Sequence, residues 1–189
     1  MQSIIEGAGV FIYPLGICSF FAVFIIIERL FALRTSRVMP KALTEAFVSG
    51  DIINLKGDLK SSAGRIVYFF RRTSPDPEAL KAFARLEIAR LERGLFILEI
   101  VISGAPLLGL LGTITGLSMA FSGQVSTSGV PDLANFSKSI SLALMTTMLG
   151  LCIAIPALVG NSYLNRRVDL LSARLDMGVE RLIDLGKRK

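Results

Sequence analysis

Along the chain, apolar and polar positions are gathered into blocks rather than mixed. Residues 8–27, 95–121 and 140–164 are almost wholly apolar, and each block is long enough to cross about 30 Å of hydrocarbon, which takes about 20 helical residues. Three membrane-spanning helices are the first expectation. Between and after them the pattern changes to a helical period with charged faces. Asp76, Pro77 and Glu78 form a helix start, with Asp76 suited to cap, Pro77 to the first helical position and Glu78 to the positive end of the dipole. Leu80, Phe83, Leu86, Glu87, Ala89, Arg90 and Arg93 then hold the period until the run turns wholly apolar, predicting one rod of roughly 65 Å into the second span. Beyond the third span, Val168, Leu171, Leu175, Val179, Leu182 and Ile183 recur at three and four residues, which predicts a long amphipathic tail helix.

The expected organisation is a first transmembrane helix within 1–33, a cytoplasmic helical segment 34–94, a second transmembrane helix 95–121, a short outer loop 122–139, a third transmembrane helix 140–164 and a cytoplasmic C-terminal helix 165–189. Short helices are expected near 40–49, 51–59 and 64–72, separated by Gly50-Asp51 and by the small residues 61–64. Pro131 and Asp132 are expected to start the helix that re-enters the membrane. The fold class is therefore all-α, a membrane protein of three transmembrane helices with long cytoplasmic helical extensions.

Charge sets the orientation. Of 21 Lys and Arg residues, 13 lie in 29–93 and 7 in 166–189, which leaves Lys138 alone in the loop between the second and third spans. By the positive-inside rule the N-terminus and that loop face outward, and the basic segments are cytoplasmic. A net charge of +6 distributed in this way speaks for membrane topology and against a nucleic-acid partner. A mean hydropathy of +0.60 alongside 19% charged residues fits the same segregation. The first span carries Glu6 and no basic residue ahead of it, so it reads as a retained anchor rather than a cleaved leader. Glu28, Arg29, Arg34 and Arg37 read as interfacial anchors that snorkel to water. Cys18 and Cys152 sit singly in different spans and there is no histidine, so neither a metal nor another cofactor is expected. The chain has no HExxH or GxSG pattern, which speaks against an intramembrane enzyme.

The chemistry lies within the spans. Residues 104–116 hold four glycines, a proline and two threonines. Gly109, Gly112 and Gly116 clear one side of a helix, and Gly112 with Gly116 has the spacing that lets another backbone approach. Pro106 frees the carbonyl of Ile102, and Pro156 in the third span frees that of Cys152. Thr113 and Thr115 in one span and Thr146 and Thr147 in the other put hydroxyls at membrane depth. Two readings stand for these threonines: bonding to their own helix carbonyls within a tight contact, or lining a polar pathway. Glu99 is the one carboxylate within an apolar stretch, on roughly one face with Ser103, Pro106 and Thr113. It is either an ion entry or exit group or an interfacial partner of Arg90 or Arg93. No other carboxylate or basic side chain lies in mid-span, and threonine cannot load and release a proton near neutral pH, so a proton carrier would have to come from a second protein.

The runs APLLGLLGTITG (105–116) and ALMTTMLGLCIAIPA (143–157), with Glu28-Arg29-Leu30 after the first span, resemble the ExbB/TolQ/MotA proton-channel subunits, most nearly the smaller ExbB/TolQ-like members. The resemblance implies a homopentameric helical bundle in the bacterial inner membrane, with the second and third helices lining a pore. That pore would hold an ExbD/TolR-like single-span partner dimer, which supplies the proton-carrying aspartate. It implies pore-facing roles for Thr113 and Thr147, helix shaping by Pro106 and Pro156, and close packing at Gly112 and Gly150. Proton flow would then drive work in the cell envelope. In one departure, ExbB and TolQ usually carry a glutamate immediately before the Ala-Leu pair of the third span, where this chain has Leu142; the flagellar MotA branch also lacks that glutamate. A Na⁺-driven stator of the MotA type and a non-conducting structural membrane scaffold are the alternative functions.

Overall fold

The computed structural model describes residues 9–40, 61–122 and 133–187. Every regular element among them is helical. After a 3₁₀ turn at Gly9–Phe11 come α1 (Ile12–Ala32), a single helical turn at Thr35–Val38, α2 (Ser62–Thr73), α3 (Pro77–Glu92), α4 (Leu95–Ser122) and α5 (Leu133–Lys187). Three helices are long and apolar enough to cross a membrane: α1, α4 through Phe121, and the part of α5 from Ser139. The expected helices near 40–49 and 51–59 fall outside the described residues, apart from Pro40, as does most of the outer loop. The chain folds as two compact units, Met1–Ile26 with Phe96–Asn161, and Ile27–Leu95 with Ser162–Lys189.

In the first unit the helices bury little and expose much, as spans do. On α1, Leu15, Ala22 and Ile25 are buried, while Tyr13, Ile17, Phe20 and Phe24 are open. That outer face is aromatic, with Phe20 stacked on Phe24 at 6.1 Å. On α5 the buried row is Ala143, Thr146, Gly150, Ala154, Ala157 and Asn161, small residues at steps of three and four. Lipid offers no hydrophobic force between helices, so association there depends on close backbone approach, which small side chains permit. The row continues along α5 in the second unit as Leu164, Val168, Leu171, Leu175, Val179 and Leu182, each at most 3% exposed. In water the hydrophobic effect operates, at about 1.5–3 kcal/mol for each such side chain, and large residues replace small ones.

The second unit packs α2 and α3 together, with Phe69 stacked on Phe83 at 4.4 Å. Ser61 caps α2, accepting the Gly64 N–H at 3.1 Å. Asp76 stands at the N-cap of α3 and Pro77 opens the helix, as expected, but the Asp76 side chain makes no cap bond. Only its carbonyl enters the ladder, accepting from Leu80 N–H at 3.1 Å. The buried row of α3 is Leu80, Ala84, Glu87 and Leu91, and Leu86 is 63% exposed. A carboxylate thus occupies a core position. Glu87 is fully buried, and Arg65 of α2 clamps one of its oxygens through Nε at 2.9 Å and Nη2 at 2.5 Å. Arg90 holds the other oxygen at 2.6 Å. Arg65 is 31% exposed and Arg90 64%. Losing the more buried partner leaves the charge less compensated, so Arg65→Ala should cost about 3 kcal/mol and Arg90→Ala about 1 kcal/mol, measured by denaturant unfolding of the full chain in detergent.

The continuous rod expected through α3 and the second span is broken. The helix stops at Glu92 and restarts at Leu95, with Gly94 at φ +94° between them. The helical period holds on both sides of the break, so the sequence pattern passes over it. The turn has an occupant: a Cβ on Gly94 would come within 2.9 Å of Arg29 Nε. The Arg29 side chain is only 13% exposed, so it lies packed against this turn instead of snorkelling.

Candidate functional site

Within the first unit, α4 and α5 pair in antiparallel fashion through their glycines. A Cβ on Gly116 would meet the Ala143 Cβ at 2.8 Å, one on Gly112 the Thr146 Oγ1 at 2.6 Å, and one on Gly109 the Thr146 carbonyl at 2.8 Å and the Thr147 Cα at 2.9 Å. At the far end, a Cβ on Gly150 would lie 2.5 Å from the Ala105 carbonyl oxygen and 3.3 Å from the Pro106 Cα. Four glycines therefore set the approach of two backbones over more than two turns. Gly104, in the same motif, has nothing within 4 Å and takes no part. Ala105 and Ala143, which sequence reading did not single out, are the partners that complete the contact. The small-residue row of α5 was the signal for Ala143.

The span threonines do not behave alike. Thr146 is 1% exposed, and its hydroxyl lies 3.1 Å from the Gly109 carbonyl across the helix pair and 2.7 Å from Ala143 O on its own helix. Thr113 donates to Leu110 O at 2.7 Å, and Thr115 lies 3.0 Å from both Leu111 O and Gly112 O. Thr147 Oγ1 is buried with no hydrogen-bond partner among the described residues. Leaving a buried hydroxyl without a hydrogen bond costs about 1–3 kcal/mol, so this group is suited to a partner from outside the helix pair. Among the four it alone keeps both donor and acceptor capacity for an outside partner.

The remaining expected site residues separate. Glu99 and Ser103 lie on the exposed side of α4, where Ser103 donates to Glu99 O at 2.7 Å, whereas Thr113 is 8% exposed. The face drawn through Glu99, Ser103, Pro106 and Thr113 is thus split between open and buried positions. Among the described residues Glu99 has no ion-pair partner, and Arg90 is taken by Glu87. Pro156 lies on the open side of α5, one turn beyond Cys152, which is also exposed. Asn161 is buried with Oδ1 unpaired, a polar position that periodicity did not bring out. No cluster of metal ligands occurs among the described residues.

The context of this close-packed pair of glycine-rich spans comes from comparison with known proteins. The sequence profile of the MotA/TolQ/ExbB proton channel family matches residues 63–177. The chain belongs to that family. The biopolymer transport protein exbB1 of Vibrio cholerae is 30% identical over 195 residues, covering 93% of this chain and 84% of that protein. The biopolymer transport protein ExbB of Helicobacter pylori is 38% identical over 97 residues, 50% of this chain and 66% of that protein. The ExbB of Aquifex aeolicus is 36% identical over 91 residues, 48% of this chain and 60% of that protein. The chain thus spans 66% of the Helicobacter relative and 60% of the Aquifex relative. The family is one of membrane channels and transport components, and the matched segment takes in all of α4 and α5 as far as Met177.

Proposed function

We propose that this chain is the channel subunit of an ExbBD/TolQR-type motor in the bacterial inner membrane, coupling proton motive force to work in the cell envelope. The observation that carries the reading is the free Thr147 hydroxyl, buried where α4 and α5 press together. A hydroxyl cannot itself load and release a proton near neutral pH, so the pathway needs a carboxylate from outside the chain. An ExbD/TolR-like single-span dimer supplies that aspartate, held inside a homopentamer with the N-terminus periplasmic and the C-terminus cytoplasmic. One elementary charge crossing 100 mV releases about 2.3 kcal/mol, enough for a few charges to shift packed helices between arrangements. In this reading Thr113, Thr146 and Thr147 lie along the ion path, Ser103 and Glu99 stand toward its cytoplasmic end, and Pro106 and Pro156 shape the helices.

The test is co-expression with a single-span protein that carries an aspartate early in its span, followed by native mass spectrometry from detergent. Five copies of this chain retained with two of the partner is the expected result. Failure to retain the partner would overturn the assembly. Leu142 in place of the family's glutamate favours one second reading, a MotA-type stator carrying Na⁺. A flux that follows a Na⁺ gradient and ignores a proton gradient would select it.

The open carboxylate of Glu99 concentrates cations near the mouth of the path. Glu99→Gln should lower ion flux several-fold in liposomes with assembly unchanged. Unaltered flux would reduce Glu99 to an interfacial residue.

A further inference from the structure

Among the described residues, three buried side-chain polar atoms have no hydrogen-bond partner: Arg29 Nε, Thr147 Oγ1 and Asn161 Oδ1. Both oxygens stand on α5, and the ion path so far takes in only the first. Fourteen residues separate them. That is roughly 21 Å of helix and four turns less about 40°, so the two oxygens lie on one side of α5 at two depths. Thr147 is the deeper, where Gly109 presses on its backbone. Asn161 is the last α5 residue of the first unit, shortly before Arg166 and Arg167 begin the charged tail. It is 7% exposed, whereas Asn165 one turn on is half-buried and Arg166 is open. Polar side chains near the end of a span turn out to water when water is all they need. Asn161 instead continues the buried row of Ala154 and Ala157. Beside it, a Cβ on Gly160 would meet the Ile26 Cδ1 at 2.6 Å, so α1 packs closely against this end of the span.

We propose that Asn161 is the inner ligand of the ion path, its amide oxygen receiving the cation, hydronium or Na⁺, after passage by Thr147. The proposal rests on the channel reading and adds the residue at which the ion leaves the span. Oxygen is the ligand that hard cations take. A neutral oxygen also releases them readily, and conduction needs sites that bind strongly enough to admit an ion and weakly enough to let it go. The amide NH₂ can donate at the same time to a water or to a carboxylate that accompanies the ion. Thr147 offers a neutral oxygen of the same kind. With Leu142 where the relatives' glutamate would stand, these two oxygens leave no fixed negative charge of the chain's own in mid-span to trap the cation. Ligands roughly 21 Å apart are too distant for direct transfer, so the cation travels between them in water or with the partner's aspartate.

The test is flux into liposomes holding the complex with the single-span partner, driven in separate arms by a proton gradient and by a Na⁺ gradient. Asn161→Leu keeps the branched shape of the side chain and removes both polar atoms. It should lower flux several-fold under whichever gradient drives the wild type. The complex should stay intact and its thermal unfolding in detergent unchanged or raised, because the lost oxygen holds no hydrogen bond among the described residues. Asn161→Asp keeps an oxygen in the same place, so it should retain flux. Its dependence on inner-side pH should be displaced from that of the wild type, since the ligand then titrates. Asn165→Leu, the same change one turn further on, should leave flux as it was. A destabilised or dissociated Asn161→Leu complex would make the amide a packing group and overturn the proposal. An Asn161→Asp profile identical to the wild type's would also overturn it. Unaltered flux in Asn161→Leu, where Thr147→Val abolishes flux, would overturn it and leave the channel reading standing. No flux from the wild-type complex under either gradient would overturn both.

Discussion

Thr147→Val is expected to abolish ion flux while the protein folds and assembles as before. Valine keeps nearly the volume of threonine and removes only the hydroxyl. At this position the hydroxyl has no partner among the described residues, so its loss breaks no hydrogen bond there. Removing a buried, unsatisfied polar group is neutral or stabilising by about 1 kcal/mol. Stability unchanged or raised together with lost flux is a combination that a purely structural threonine cannot produce. The neighbouring position gives the contrast. Thr146 bridges Gly109 O and Ala143 O, so Thr146→Val should cost about 1 kcal/mol, within the range for hydrogen bonds between membrane helices. Thr147→Ser, which restores the hydroxyl, should retain flux. Unfolding in detergent and flux in liposomes, measured on the same preparations, separate the two residues.

Gly150→Ala is the second large effect, and here the fold itself gives way. The added Cβ would sit 2.5 Å from the Ala105 carbonyl oxygen, a backbone atom inside a helix that cannot swing aside as a side chain does. The two spans must separate, and overpacking of this kind costs about 3 kcal/mol. Gly104→Ala is the control in the same motif. With nothing within 4 Å it should be tolerated or stabilising, since alanine is favoured over glycine in a helix by about 1 kcal/mol. Thermal unfolding in detergent should show a clear loss for the first variant and none for the second. Equal losses in both would mean that the glycines act through helix propensity and not through contact between the spans.

The spans and the tail face were legible because each depends on local periodicity. The residues Val168, Leu171, Leu175, Val179, Leu182 and Ile183 chosen for the apolar tail face are all buried. The glycine motif was legible for the same reason, since loss of side chains along one side of a helix is visible in spacing. Other features depend on what lies opposite. Thr146 and Thr147 are adjacent, and only the rotation of α5 against α4 decides which is clamped and which is free. Glu87 reads as one more charge on a mixed face until Arg65, 22 residues earlier, is seen to cover it. The break at Gly94 interrupts a period that resumes in phase with helix on both sides, and what fills the turn is Arg29, from the end of α1.

The measurement that tests the central claim most directly is proton flux into liposomes under an imposed potential. The samples would be the complex of this chain with its single-span partner, the same complex carrying Thr147→Val, and one carrying an Asp→Asn change in the partner's span. The account predicts flux in the first and its loss in both variants. Flux that persists in Thr147→Val would contradict the pathway. Absence of both H⁺ and Na⁺ flux from an intact wild-type complex would leave a structural scaffold in place of a channel.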